Sequence, residues 1–419
     1  MSTRLLFLLL LCTVLSYTSH AQLTPEQCYE KARANYPLVN QYGLIEKSES
    51  YNLSNAARAW LPQVSLSAKA TWQSEVIELP FTMPGIGEMD QDQYQATLEV
   101  SQILWDGGST SARSAMYKAS ADIEKQKYEV DMYALQERIN QLYFGILLLN
   151  EQLNLNAVLQ KDLETNYNRI MVSLNNGVAS QADLDAIRVE QLRARQMQAE
   201  LQASKKAFTD MLSAFIGEQI SDGTVLSKPV AGLNASDIYE IRRPELQLFE
   251  AQRTFYNSQQ KLVRSVSMPK LALFAQGGYG KPGLNMLSNE FNPFFIGGIR
   301  LSWNLSSFYT QSNEMQLLKI NQSGADVQKQ TFLFNTNLKV SQINTEIEKF
   351  TELLKSDDEI IRLRQGIQLS TEVKVENGTA SASDLIRDLN AVNRSMLDKA
   401  LHEIQMLQAI YNLKNSTNL

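Results

Sequence analysis

Side chains able to do covalent or metal chemistry are few in this 419-residue chain, and none is spaced to work with another. The histidines are His20 and His402, and the cysteines are Cys12 and Cys28. A lone helical histidine such as His402 is ordinarily a surface or packing residue, which argues against a histidine-based metal or catalytic centre. No glycine-rich phosphate loop and no nucleophile elbow occurs. The reading is of a protein that is not an enzyme and needs no cofactor and no metal. The spacing that does stand out concerns turns and caps. Asn176-Gly177 is followed by Ser180, Asp183 and Leu184, and 201 residues later Asn377-Gly378 is followed by Ser381, Asp384 and Leu385. Ser-x-x-Asp is a capping box, and glycine at the preceding turn suits a left-handed helix end. The short side chains between, Val178-Ala179 and Thr379-Ala380, would let another helical hairpin approach closely.

Those turns join very long helices. From Tyr128 the apolar positions run Met132, Leu135, Ile139, Leu142, Ile146, Leu149 and Leu153, steps of four and three that form a coiled-coil seam. The helix expected from Ser109 to Asn175 would reach roughly 100 Å at ~1.5 Å per residue. Gly145 is its one interior glycine and weakens it by ~1 kcal/mol. A second rod, Phe308 to Glu376, carries Val340, Ile343, Ile347, Phe350, Leu354 and Ile361 on an equivalent seam.

Elsewhere the period is two. Val64, Leu66, Ala68, Ala70 and Trp72 alternate with polar residues that include Lys69, and Tyr94, Ala96, Leu98 and Val100 alternate with Gln93, Gln95, Thr97 and Glu99. Alternation alone also fits a half-buried soluble strand. Runs this long, apolar on one face and closed by aromatics, match transmembrane barrel strands better. Trp72, Tyr94, Tyr279, Phe295 and Trp303 are the candidate membrane-interface aromatics, and Lys69, Gln93, Gln95, Thr97, Glu99 and Arg300 the candidate lumen residues. For each of these six a plain solvated face is an equal reading.

Arg4 followed by an apolar run and Ser19-His20-Ala21 reads as a secretory signal over residues 1–21. Its removal leaves Cys28 alone, so no intrachain disulfide can form. The formal charge of −6 has no basic block, so nucleic acid is not an expected partner.

The chain is duplicated. Leu61-Pro62-Gln63-Val64 pairs with Met268-Pro269-Lys270-Leu271 at an offset of 207, and Leu98-Glu99-Val100-Ser101 with Ile299-Arg300-Leu301-Ser302 at 201. The offset changes within the strand-to-strand loop, where length varies freely. The expected layout is a first repeat over 22–216, with strands at about 63–73 and 93–104 and a helical hairpin at about 109–216. A linker follows at 217–236. The second repeat spans 237–412, with strands at about 270–280 and 294–304 and a hairpin at about 308–412, and a tail takes 413–419.

Four strands cannot close a barrel, and an open edge is prohibitive in a bilayer, so copies must combine, two for eight strands or three for twelve. The alternative is a secreted periplasmic coiled-coil structural or adaptor protein. It lacks the β domain an adaptor carries between its helices, and its strands lie as two distant pairs.

The order Asn35-Tyr36-Pro37, Leu61-Pro62-Gln63, Leu104-Trp105-Asp106-Gly107-Gly108 and Asn176-Gly177 with Asp183-Leu184, echoed in the second half, resembles the TolC-type outer-membrane efflux proteins. The resemblance implies a mainly α protein with membrane β structure. A homotrimer would share a twelve-stranded barrel in the outer-membrane lipid, continued by a periplasmic helical tunnel in a Gram-negative cell. It implies that the two tips form a closable entrance docking a periplasmic adaptor and its inner-membrane transporter. Asp183 and Asp384 read as caps rather than gate charges. Leu305-Ser306-Ser307-Phe308 replaces the Asp-Gly-Gly turn in the second half, so local turn geometry should differ there.

Overall fold

The computed structural model describes residues 22–77, 89–221, 224–230 and 240–418. The signal call on 1–21 lies outside them, as do parts of the first strand loop and of the linker. In chain order the elements are α1 (Pro25–Asn35), α2 (Val39–Ala57) with a 3-10 turn (Arg58–Trp60), β1 (Gln63–Trp72) and β2 (Asp92–Trp105). There follow α3 (Ser109–Asn175), α4 (Gln181–Ile216), α5 (Pro244–Val266), β3 (Lys270–Lys281), β4 (Asn292–Ser302), α6 (Ser307–Glu376) and α7 (Ala382–Thr417). The chain divides into two compact units, and both long helices contribute to each.

One unit comprises Asn40–Glu129 and Pro244–Thr331. It holds a single antiparallel sheet in the order β1-β2-β3-β4. The strands expected as two distant pairs therefore join, through β2–β3 pairing from Tyr94↔Lys281 onward. β1 and β4 are its two edges. The fourth strand sits two residues earlier than expected, at 292–302 rather than 294–304. Pro293 lies opposite Tyr279, and Trp303 leaves the ladder to donate its indole N–H to the Ser267 carbonyl at 3.0 Å. The turn into α3 is made by Gly107 and Gly108, both at positive φ, and a Cβ on Gly107 would sit 2.4 Å from that of Met268. The Asp106 carboxylate accepts N–H bonds from Gly108 (2.9 Å) and Thr110 (2.6 Å). Burial works against its ionisation, yet these bonds outweigh that and hold its pKa below the usual carboxylate value. In the second half no residue of Leu305-Ser306-Ser307 has positive φ, and the Ser307 hydroxyl donates instead to the Asn304 carbonyl at 2.7 Å.

The other unit contains α1, α4, α7 and the remainders of α3 and α6. The predicted seam of α3 is buried from Tyr128 to Ile146, with Ile139 fully so, while Leu149 and Leu153 are half-buried. Its buried stripe is wider than a coiled-coil seam, because Tyr133, Tyr143, Phe144 and Leu147 are buried as well. The Tyr143 hydroxyl lies 2.7 Å from the carbonyls of both Leu23 and Ser227, beside the isolated bridge Leu23↔Leu226. Gly145 proves to be a packing residue. A Cβ there would lie 2.5 Å from the Phe208 ring of α4, so a larger residue would force that ring to move. The tail expected at 413–419 is corrected to helix through Thr417. Leu413 and Thr417 are fully buried, and the Thr417 carbonyl accepts the Arg242 N–H at 2.9 Å.

Candidate functional site

Two places hold the residues singled out by pattern: the sheet, and the tips of the two helical hairpins. In an antiparallel ladder, residues directly opposite share a face. Lys69 faces Gln95, Ser67 faces Thr97 and Ser65 faces Glu99. Glu99 in turn faces Gln276 on β3, and Arg300 on β4 faces Ala272 on the same side. Lys69, Gln93, Gln95, Thr97, Glu99 and Arg300 thus lie on one face. Its polar groups satisfy each other: the Ser67 and Thr97 hydroxyls are 2.7 Å apart, and Gln93 donates to Gln73 at 3.0 Å. Arg300 donates to Glu99 at 2.8 Å, with its guanidinium 4.5 Å above the Phe274 ring.

The opposite face is apolar across all four strands. Val64, Leu66 and Trp72 lie on it with Tyr94, Leu98, Leu273, Tyr279, Phe295, Ile299 and Leu301, and every one of these is exposed. Leu66 is 78% and Phe295 71% exposed, whereas Thr97 on the polar side is 9% exposed. That inverts the arrangement of a water-soluble sheet. Leaving even six of these ten side chains in water forfeits on the order of 10 kcal/mol, as much as the whole stability of a typical domain. Lipid removes that penalty. From Phe295 to Trp303 there are eight steps, roughly 26 Å along the strand and about 20 Å of height at a ~40° tilt, near the ~25 Å apolar band of a transmembrane barrel.

Aromatics mark both margins of the band. At the loop end Tyr94 and Tyr279 stack on Phe291, with centroids 6.2 and 5.6 Å apart, and Trp72 is exposed beside them in the register. At the helix end Trp303 meets Phe308 edge-on at 6.4 Å. Trp60 and Trp105 are exposed at this end too. Pattern reading did not assign them, because Trp60 sits in the 3-10 turn and Trp105 follows the β-bulge at Ile103. A tryptophan at or just beyond the helix end of β1, β2 and β4 was the available signal.

At the tips the two hairpins are built alike. Gly177 and Gly378 adopt φ of +75° and +71° after α3 and α6. The Ser180 hydroxyl accepts the Asp183 N–H at 3.3 Å while the Asp183 carboxylate accepts the Ser180 N–H at 3.0 Å, and Ser381 and Asp384 repeat this at 3.2 Å each way. The serine hydroxyls and backbone N–H groups favour the ionised carboxylates, so both aspartates titrate below the usual value. Leu184 and Leu385 are buried in one cluster with Leu163, Ile170, Ile187 and Leu389, and Ala179 packs against it. Asn176, Val178, Asn377 and Thr379 are exposed, Ala380 is half-buried, and a Cβ on Gly378 would lie 3.6 Å from Val178. Above the tips, Arg169 of α3 lies 3.5 Å from Glu372 and 3.6 Å from Glu376 of α6, a link that no periodicity announces.

Among the described residues no His, Cys, Asp and Glu group could hold a metal ion. His402 bonds Asp357 at 2.8 Å between α6 and α7. No described helix is long and apolar enough to cross a membrane.

Residues 28–218 match the family model described as outer membrane efflux protein. No curated protein matches the chain. Among solved structures, the outer membrane protein VceC of Vibrio cholerae superposes with a TM-score of 0.69 at 11% identity, over 94% of this chain and 95% of that one. The CmeC outer membrane channel of Campylobacter jejuni gives 0.66 at 14% identity, covering 94% and 85%. The open state of the MtrE outer membrane channel of Neisseria gonorrhoeae gives 0.65 at 14%, covering 94% and 88%. These likenesses establish the fold along nearly the whole chain, four strands included.

Proposed function

We propose that this chain, a TolC-like outer membrane efflux protein of the Gram-negative outer membrane that extends into the periplasm, works as the passive exit duct of a tripartite efflux or type I secretion system. The inverted sheet carries the reading. Its apolar face suits lipid, and the unpaired edges of β1 and β4 must be closed by further copies, since a bilayer offers backbone groups no water. Three copies give twelve strands, and the homotrimer is the assembly the fold supports best. In it Lys69, Gln93, Gln95, Thr97, Glu99 and Arg300 line the lumen and let polar solutes pass. Trp72, Tyr94, Tyr279, Phe295 and Trp303 sit in the lipid-facing band and at its margins.

The tips, Asn176–Ser180 and Asn377–Ser381, form the entrance. Their small exposed residues take the hairpin of a periplasmic adaptor, which delivers small molecules or proteins from an inner-membrane pump. Asp183 and Asp384 shape this surface as caps, and Leu184 and Leu385 anchor it. No chemistry occurs along the path, and the energy is the pump's. The test is twofold. The reconstituted protein should conduct in discrete steps, and cells lacking it should become sensitive to several toxic small molecules. Unchanged sensitivity with loss of an exported protein would assign the secretion branch, and a protein that never conducts would sink the duct.

A further inference from the structure

The polar face of the sheet is more cationic than the chain as a whole. The chain carries a formal charge of −6, yet the charged side chains on this face are Lys69, Lys270 and Arg300 against Glu99 alone. Lys270 opens β3 opposite Ser302, on the same side as Arg300, and was not foreseen as a lumen residue. Glu99 is already neutralised by Arg300 at 2.8 Å, and the Phe274 ring under that guanidinium fixes it in place. Lys69 and Lys270 have no ionic partner among the described residues. At the loop end Asp90 pairs with Lys281 and Asp92 lies opposite Trp72 on the apolar face, and at the helix end the buried Asp106 carboxylate is taken up by the Gly108 and Thr110 N–H groups.

The three levels are well separated along the strands. Lys69 lies four residues from the level of Glu99, ~13 Å toward the loop end, and Lys270 six residues from it, ~20 Å toward the helix end. Uncompensated cations therefore flank a neutral middle. Both spacings exceed the Debye length of ~10 Å at 0.1 M salt, so at that salt each lysine acts as a separate ring, while in more dilute salt their fields overlap and add. Charges on a concave, low-dielectric wall concentrate counter-ions.

We propose that this wall selects anions, with Lys69 and Lys270 as the residues that set the preference, and that small inorganic and carboxylate anions pass the barrel ahead of cations. The inference rests on the reading of this face as the lumen of a closed barrel, where three copies supply six unpaired lysines. The test is the reversal potential of full-length protein, extracted from outer membranes and reconstituted in a planar bilayer under a dilute potassium chloride gradient. Wild type should favour chloride. Lys69→Gln combined with Lys270→Gln should lower the chloride-to-potassium permeability ratio by roughly threefold or more, and Glu99→Gln should raise it. Lys69→Arg with Lys270→Arg should leave it unchanged, which separates charge from damage to the barrel. Loop carboxylates are common to every variant and cancel from these differences. Steady conductance whose selectivity ignores both glutamine variants would overturn the cationic wall while leaving the duct standing. Wild-type protein that does not conduct would instead overturn the duct itself.

Discussion

The sheet and the hairpin tips use the same kinds of residue in opposite senses. At the tips Leu184, Ile187, Leu385 and Leu389 are buried and the serines and asparagines face outward. In the sheet Leu66, Leu98, Ile299 and Leu301 face outward, and Thr97 and its hydroxyl partner lie on the better-covered side. The difference teaches that each region is folded against its own solvent. Water rewards the first arrangement by ~1.5–3 kcal/mol per large side chain and penalises the second by as much, unless lipid takes its place.

The comparison can be broken most forcefully on the apolar face of the sheet. Ile299→Arg should cost about 2–4 kcal/mol in every chain of an assembled barrel and nearly abolish heat-resistant oligomer in the outer membrane. Thr97→Arg, on the other face, should leave most of that oligomer intact. Equal loss from both would mean that the two faces do not differ in solvent. The counterpart at the tips is Leu385→Ala, at a position only 2% exposed. It should cost about 2–5 kcal/mol and open the hairpins to protease while the barrel persists. Smaller still are the caps. Ser180→Ala or Ser381→Ala should cost about 1 kcal/mol each, seen as faster amide exchange in the first turns of α4 and α7.

The caps also carry a pH dependence with a definite sign. Asp183 and Asp384 titrate below the ordinary 3.8 in the folded chain, so they bind protons more readily when unfolded. Their stabilisation is fully present above that value and is lost as pH falls through the lowered folded pKa. Amide exchange at the tips should accelerate only in that acid range, and Asp183→Asn should remove part of the effect.

Much of this was legible in the sequence because it is local. The Asn-Gly turns, the Ser-x-x-Asp boxes, the two 3.5-residue seams and the alternating runs each announce one element, and the constant offset of 201 announces the duplication. What stayed hidden depends on distant partners. β2 pairs with β3 across more than 160 residues, from Gln95↔Gly280 onward, and no local period encodes that. Thr417 continues a helix because Arg242 and the packing around Leu413 hold it there. Gly145 looked like a weak point until Phe208 was seen against it. Lys270 belongs to the polar face only by register with Ser302, since the alternation at the start of β3 is blurred by Leu271-Ala272-Leu273. The link from Arg169 to Glu372 and Glu376 joins residues more than 200 positions apart on two helices and left no pattern to read.

The central claim is that the exposed apolar face and the two open sheet edges are covered by lipid and by further copies of the same chain. The mass of the mature protein in detergent, purified from the outer-membrane fraction, tests this most directly. The account predicts a membrane-extracted particle of three chains. A monomer recovered from the soluble periplasm would contradict it and leave a secreted coiled-coil protein in its place.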